Sequence, residues 1–356
     1  MTTLQAYLRN GGTLQSLKKD YHLKIKKHQS YPNLYLFKYN QIESPFEEKI
    51  VQEARGLILD QLDNWRIISY PYDKFFNYGE KCAADVDWTT SLVYEKLDGS
   101  LMTLYYYDGK WMVSSSGMPD ASGSVHDLGF SFADLFWQIW NELGYQYPEE
   151  TDKCFMFELL SPLAQIVVPQ NKNRLVLHGV RSLATYQEEK PNNYPYEIVT
   201  TFNFGNFNDC LLFARKLPVN DGEGVIVCDQ SFNRCKIKSE MYLNFVYAFS
   251  RRKFKINPLK ILHIIQLNET EEFLSVYPQW REECGQLWDK YEKIIEEIEL
   301  IFKSLNPNAD PRTFAQSISH LWYRDCLFKL KKQTITSVKE WLSQYNTKLL
   351  LEIIKA

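Results

Sequence analysis

No stretch of the sequence is apolar for long enough to cross a bilayer, and the start Met1-Thr2-Thr3-Leu4-Gln5 carries no basic-then-apolar leader. Seven cysteines are present, at 82, 154, 210, 228, 235, 284 and 326, and none forms a Cys-x-x-Cys pair. The histidines are too scattered to complete a zinc site. Reduced, mostly buried thiols follow, and with them a soluble, cytoplasmic protein with no membrane partner. Charge of one sign is also lacking: the formal net charge is −3. That excludes a protein that coats nucleic acid wholesale, and confines any such contact to a local basic patch. Candidate patches are Lys18-Lys19 with Lys24, Lys26 and Lys27, the run Arg251-Arg252-Lys253-Phe254-Lys255, and Lys329-Leu330-Lys331-Lys332. Each but the second is equally well read as a solvated face. There is no internal repeat or low-complexity stretch, and glycine and proline are unremarkable in number.

What is present is apolar and aromatic. A chain of 356 residues, 45% hydrophobic and 15% aromatic, can bury one large core and a smaller second one, which predicts two domains. The texture of the chain changes once. From Tyr35 to about Phe245 short β-type runs dominate: Gly56 to Asp60, Trp65 to Tyr70, Leu92 to Lys96, Leu101 to Ser115, Cys154 to Leu159, Arg174 to Val180, Gly224 to Cys228 and Cys235 to Lys238. Asp108-Gly109 marks a two-residue hairpin turn, because both central positions need φ > 0. Apolar residues at helical spacing predict one helix from Phe130 to Leu143. After Pro258 the period is helical throughout. Trp280, Cys284, Trp288, Tyr291, Ile295, Ile298 and Phe302 fall on one stripe that ends at Asn306-Pro307. A second tail helix is expected from Pro311 to Lys332, and a third from the capping box Ser337-x-x-Glu340 to Lys355. The stripe reads as core between these helices.

Chemistry concentrates at Lys96-Leu97-Asp98-Gly99-Ser100. Lys96 falls where a β-run gives way to a glycine-bearing turn, so its amine is displayed. Alone, that pattern also describes a solvated charge at the end of a hairpin. Five further segments accompany it: Glu53-Ala54-Arg55-Gly56 with Tyr72-Asp73-Lys74-Phe75-Phe76-Asn77 before it, then Phe157-Glu158-Leu159-Leu160-Ser161-Pro162, Asp221-Gly222-Glu223-Gly224-Val225 and Lys236-Ile237-Lys238-Ser239 after it. A lysine becomes a nucleophile when its ammonium is disfavoured, and Arg55, Lys74, Lys236 and Lys238 could supply neighbouring cations. Converging, the same groups would clamp a triphosphate. Asp98 and Glu223 are the candidates for Mg²⁺, which takes one or two carboxylates along with phosphate oxygens and water.

In this order and spacing the segments resemble the covalent nucleotidyltransferase superfamily of ATP-dependent ligases and mRNA-capping enzymes, and within it the phage tRNA-repair RNA ligases. The Ala-Arg-Gly strand paired with Lys74-Phe75-Phe76-Asn77, the Phe-Glu-Leu-Leu-Ser-Pro stretch followed by Ile166-Val167-Val168-Pro169, and the Lys-x-Lys-Ser ending carry the likeness, which runs from Leu34 to Tyr242. The resemblance implies an α+β fold: an adenylyltransferase domain of ATP-grasp-like antiparallel sheets over residues 1–250, then an all-helical domain over 251–356. It implies that Lys96 attacks the α-phosphate of ATP and holds AMP, with Asp98, Lys236 and Lys238 completing the catalytic set. The AMP then passes to an RNA 5′-phosphate, which a 3′-hydroxyl attacks. Arg55 and Lys74 would meet the β- and γ-phosphates, Glu158 the ribose, the Glu95 carbonyl and Gly99 the nucleotide, and Val225 the adenine ring. Glu223 and Asp98 would hold Mg²⁺ or Mn²⁺.

One position departs from the pattern. Where the family usually has a basic residue before a glycine, this chain reads Ser116-Gly117. The helical tail is unlike the β-rich domain that follows in DNA ligases and capping enzymes, and is similar to the tail of the tRNA-repair ligases. That implies an RNA partner with 5′-phosphate and 3′-hydroxyl ends, such as a broken tRNA anticodon loop, served by a monomer. A nucleotidyltransferase that is not a ligase, and a non-catalytic RNA-binding descendant, remain as alternatives. The complete ionic set weighs against the latter, because a scaffold needs none of these ions.

Overall fold

The computed structural model describes residues 1–125, 128–218, 220–246, 257–276, 278–306 and 309–355. The chain forms two compact units, one of Met1–Ser122 with Phe132–Ala248, the other of Gly123–Ser131 with Phe249–Ala356. The basic run Arg251 to Lys255 lies outside the described residues.

The first unit is built on antiparallel sheets. One has the order β1 (Lys24–Lys27), β2 (Leu34–Lys38), β3 (Arg55–Asp60), β4 (Arg66–Ser69). A six-stranded sheet runs β10 (Glu188–Glu189), β9 (Arg174–Ser182), β8 (Lys153–Leu160), β6 (Ser100–Tyr107), β7 (Lys110–Ser115), with β11 (Glu197–Ile198) parallel to β9. The third runs β12 (Thr201–Phe202), β5 (Leu92–Lys96), β13 (Gly224–Cys228), β14 (Arg234–Lys238). The β6–β7 hairpin closes at Asp108-Gly109, with φ of 50° and 78°, as its turn chemistry demands. Two-sided burial explains the apolar runs. Leu34, Leu36 and Ile58 pack with Tyr105, Cys154 and Met156, whereas Tyr35, Phe37, Leu57 and Leu59 pack on the other face of the same sheet. The expected helix near Phe130 is α4 (Phe132–Glu142), which buries Leu135, Phe136, Ile139 and Trp140.

The residues before Tyr35 form structure that has no counterpart among the expected elements. Helices α1 (Thr3–Arg9) and α2 (Leu14–Tyr21) precede β1. The buried Glu53 carboxylate accepts from the N–H groups of Thr3 (2.9 Å) and Leu4 (2.8 Å), which have no partner inside α1.

In the second unit the long stripe is α9 (Arg281–Ser304), with Cys284, Trp288, Tyr291, Ile295 and Ile298 buried. The two later tail helices are each broken. In place of Pro311 to Lys332 stand α10 (Pro311–Ile318) and α11 (Arg324–Lys331), and in place of Ser337 to Lys355 stand α12 (Val338–Gln344) and α13 (Thr347–Lys355). The second break has an identifiable cause. The buried Gln266 amide donates to the carbonyls of Leu342 (2.7 Å) and Tyr345 (2.9 Å), and its oxygen accepts from the Thr347 hydroxyl (2.6 Å). One distant side chain thus satisfies the helix end that periodicity carries straight through. The Ser337 cap itself stands, accepting from Glu340 N at 3.1 Å. Among the described residues no helix is long and apolar enough to cross a membrane, and every cysteine is free.

Candidate active site

Register alone brings the ionic residues together. Across the third sheet, Lys96 on β5 and Lys238 on β14 both stand opposite Gly224 on β13, and in the next row Tyr94, Ile226 and Lys236 stand opposite one another. Residues opposite each other share a face, so Lys96, Lys236 and Lys238 project from one side. The other side buries Val93, Val225, Val227, Cys235 and Ile237 against Cys210 and Ala214 of α5 (Phe207–Lys216). Val225, expected on an adenine ring, is therefore in the core on the far face. Ile226 is the residue of that strand that looks the same way as Lys96. Between the two lysines no side chain is tolerated: Gly224 has φ of 150°, and a Cβ there would lie 2.1 Å from Ile237 O.

Glu223, immediately before this glycine, spans the row. One carboxylate oxygen bonds Lys96 Nζ, and the other lies 2.6 Å from Lys238 Nζ. Burial, the largest influence, opposes ionisation of this carboxyl, but Lys238 and then Lys96 outweigh it and hold it below the ordinary range. Glu223 and Lys238 are almost wholly enclosed, while the Lys96 side chain keeps 18% exposure. The nucleophile candidate is thus the most exposed of the three. Lys96 meets the cation Lys238 through a shared carboxylate.

Asp98 does not face outward. Its Oδ2 accepts from the N–H groups of Val167 (2.8 Å) and Val168 (2.6 Å), and its Oδ1 accepts from the Tyr242 hydroxyl (2.9 Å). Burial, and next the charge of Glu223, push its carboxyl up, against those three hydrogen bonds. Its oxygens are spent on tying the turn after Lys96 to the 167–168 segment and to α6 (Glu240–Val246). Meeting a metal ion directly, as expected of it, would cost Asp98 one of these bonds. Asp98→Ala strips three donors, two of them buried, of their acceptor. At about 1–3 kcal/mol for each unsatisfied buried group, the variant melts well below wild type, which calorimetry checks.

Glu158 and His178 form the second half of the site. Glu158 Oε1 accepts from Gly99 N at 3.1 Å, and Oε2 lies 3.4 Å from His178 Nε2, which makes no hydrogen bond of good geometry among the described residues. Nδ1 of the same ring meets the Tyr72 hydroxyl at 2.9 Å. The Arg234 guanidinium lies 4.3 Å over the Tyr72 ring and pairs with Glu188, which also takes Arg181 at 2.6 Å. Sequence spacing gave no signal for Tyr242, His178, Arg234 or Glu188, since their partners are far along the chain.

The remaining candidates are dispersed. Glu95 N donates to Thr200 O at 2.9 Å. The N–H and C=O of a strand residue project to the same edge, so the Glu95 carbonyl looks where the chain leaves the sheet. Lys74 is buried with its amine 4.9 Å from the Phe76 ring centroid, 5.4 Å from Phe46 and 5.5 Å from Tyr39. The segment after it runs along β14, with Lys236 N donating to Phe76 O at 3.0 Å. Arg55 lies 5.1 Å over Phe75. It is grouped with the first sheet, beside Lys38, rather than with Lys96.

Two sequence comparisons with known proteins agree in kind. Residues 53–242 match a family profile described as RNA ligase. The chain is 27% identical to an RNA ligase of Rhodothermus phage RM378, with 78% of each chain covered. It is 26% identical to a putative bifunctional polynucleotide kinase/RNA ligase of Autographa californica nuclear polyhedrosis virus, over 96% of this chain and 51% of that one, so it spans about half of that relative. Among solved structures, an archaeal ATP-dependent RNA ligase superposes with a TM-score of 0.48 at 14% identity, covering 84% of this chain and 82% of its own.

Proposed function

The chain belongs to the RNA ligase family, and we propose that it seals RNA with ATP through an AMP carried covalently on Lys96. The observation that carries this reading is the row in which a partly exposed Lys96 amine is held by a buried carboxylate shared with Lys238, with Lys236 beside it on the same face. In the first step Lys96 Nζ, its ammonium proton gone to water, bonds to the α-phosphorus as the bond to pyrophosphate breaks. Lys236 and Lys238 face the developing charge, where fixed cations in a water-poor site act strongly. The AMP then passes to a 5′-phosphate, and attack by a 3′-hydroxyl joins the strands and releases AMP. Glu158, whose Oε1 accepts from Gly99 N in the turn after Lys96, would take ribose hydroxyls.

A divalent cation, magnesium or manganese, would be held by Glu223 jointly with phosphate oxygens in exchange for a contact with Lys96, and Asp98 would join it only by giving up one of its three hydrogen bonds; one or two carboxylates suffice for such an ion. When bound, it offsets the charge of the triphosphate. The test is direct. Incubation with labelled ATP yields a protein-bound AMP that mass spectrometry maps to Lys96, and later addition of 5′-phosphorylated RNA yields sealed product. An adduct on another residue, or an adduct with no sealing on any RNA, defeats the proposal.

We extend the reading to substrate choice: the helical unit selects a broken tRNA-like loop. Deleting residues 259–356 then leaves AMP uptake by Lys96 intact and leaves sealing of simple single-stranded RNA near the full-length rate, while preference for a broken stem-loop disappears. Rates on the two RNAs decide it. An unchanged preference places selection in the first unit, and loss of AMP uptake by a folded, monodisperse truncation means that the tail helps to build the site.

A further inference from the structure

A single inserted residue turns two cations to the same face of the first sheet. In the β2–β3 ladder Phe37 stands opposite Leu57, but the next pair is Lys38 with Arg55, so Gly56 is extra. Its φ of 95° is one that glycine adopts freely. Without this bulge Arg55 would share the face of Leu57 and Leu59, inside the cluster of Tyr35 and Phe37. The slip sends it instead to the face of Leu36 and Ile58, which packs toward β6 and β8. Phe75 belongs to that second cluster, and the Arg55 guanidinium lies over its ring.

Lys38 projects from the same face, and its amine donates to Ser116 Oγ at 3.3 Å. Glycines border the place. A Cβ at Gly117 would lie 3.7 Å from Lys38 Nζ, and one at Gly56 would lie 3.5 Å from Ser116 Cα. Arg55 Nη1 is buried with no hydrogen-bond partner among the described residues, an arrangement that folded proteins avoid unless a ligand supplies the acceptor. Ser116 directly follows the last ladder pair of β6 and β7, Met102 with Ser115, and the residue before Met102, Leu101, stands opposite Glu158 on β8. Two strand spacings, about 10 Å, thus separate this place from the residue that holds the turn beside Lys96.

We propose that Lys38 joins Arg55 in binding a phosphate group of the ligation substrates, supplying in space the positive charge that the sequence omits at Ser116. This rests on the ligase reading above. The phosphate belongs either to the triphosphate of ATP or to the RNA strand, and the two steps of the reaction separate these sources.

The experiment compares wild type, Lys38→Met and the double variant Lys38→Met with Ser116→Lys. Each is assayed for AMP uptake across ATP concentrations and for ATP-independent sealing of pre-adenylylated RNA. The expected result is that Lys38→Met slows one of these by about tenfold or more without lowering the melting temperature, and that Ser116→Lys restores most of the loss from the opposite side of the same place. Loss in AMP uptake with a raised KM for ATP assigns the triphosphate, and loss in sealing assigns the RNA. If Lys38→Met melts early, Lys38→Gln keeps a donor toward Ser116 without the charge and carries the same comparison. A neutral variant within about two-fold of wild type in both assays overturns the inference, as does a loss that Ser116→Lys leaves untouched. A wild type that neither takes AMP nor seals pre-adenylylated RNA overturns the ligase reading, and this one with it.

Discussion

Lys96→Arg takes up no AMP from ATP while remaining folded, and Lys96→Ala behaves alike in chemistry but not in stability. Arginine keeps a positive charge beside Glu223, so the ionic row survives, but a guanidinium does not give up its proton and offers no lone pair to phosphorus. Removing a nucleophile outright lowers the rate by a factor on the order of 10³ or more. Alanine leaves the buried Glu223 with Lys238 as its remaining lysine neighbour in the row and melts lower than arginine does. Gel detection of labelled AMP on the protein, with a melting curve for each variant, reads both outcomes. AMP on the Lys96→Arg protein would place the nucleophile elsewhere.

Glu223→Ala has the second large effect, and it is twofold. The change leaves two ammonium groups flanking Gly224 without the carboxylate between them. Breaking such a pair by deleting one partner costs about 3–5 kcal/mol. AMP uptake falls as well, and rising Mg²⁺ or Mn²⁺ recovers part of it if Glu223 holds the ion. Glu158→Ala instead weakens ATP binding with no such dependence on the ion, and equal dependence in both variants would refute the division of roles. Acid separates the structural part from the rest. Because Lys238 and Lys96 hold the Glu223 carboxyl below its ordinary value, its contribution to stability is complete above the unfolded carboxyl range and is lost as pH falls through the folded value. Glu223→Gln is therefore less stable than wild type at neutral pH, and the gap closes on acidification below about pH 4. Urea titrations at both pH values measure it, and a gap independent of pH would remove Glu223 from the ion cluster.

The sequence by itself determined the elements whose signals are local. The Asp108-Gly109 hairpin, the α9 stripe and the Ser337 cap each depend on residues within a few positions of one another, where turn geometry and a fixed period leave one solution. The order of the ionic segments was equally legible, and with it the α+β class and the family. What only the tertiary structure decided is which way those ions face and what holds them. Val225 and Ile226 are neighbours, and strand register alone sends the first into the core and the second toward Lys96. The bulge at Gly56 turns Arg55 toward Lys38, and no local rule distinguishes a glycine that bulges from one that merely ends a run. Asp98 is consumed by the N–H groups of Val167 and Val168 and by Tyr242, and the tail helix ends at Tyr345 because Gln266 captures its carbonyls. These contacts join residues tens of positions apart or more. A buried polar group must find a partner wherever the fold supplies one, and the chain's own order does not say where that is.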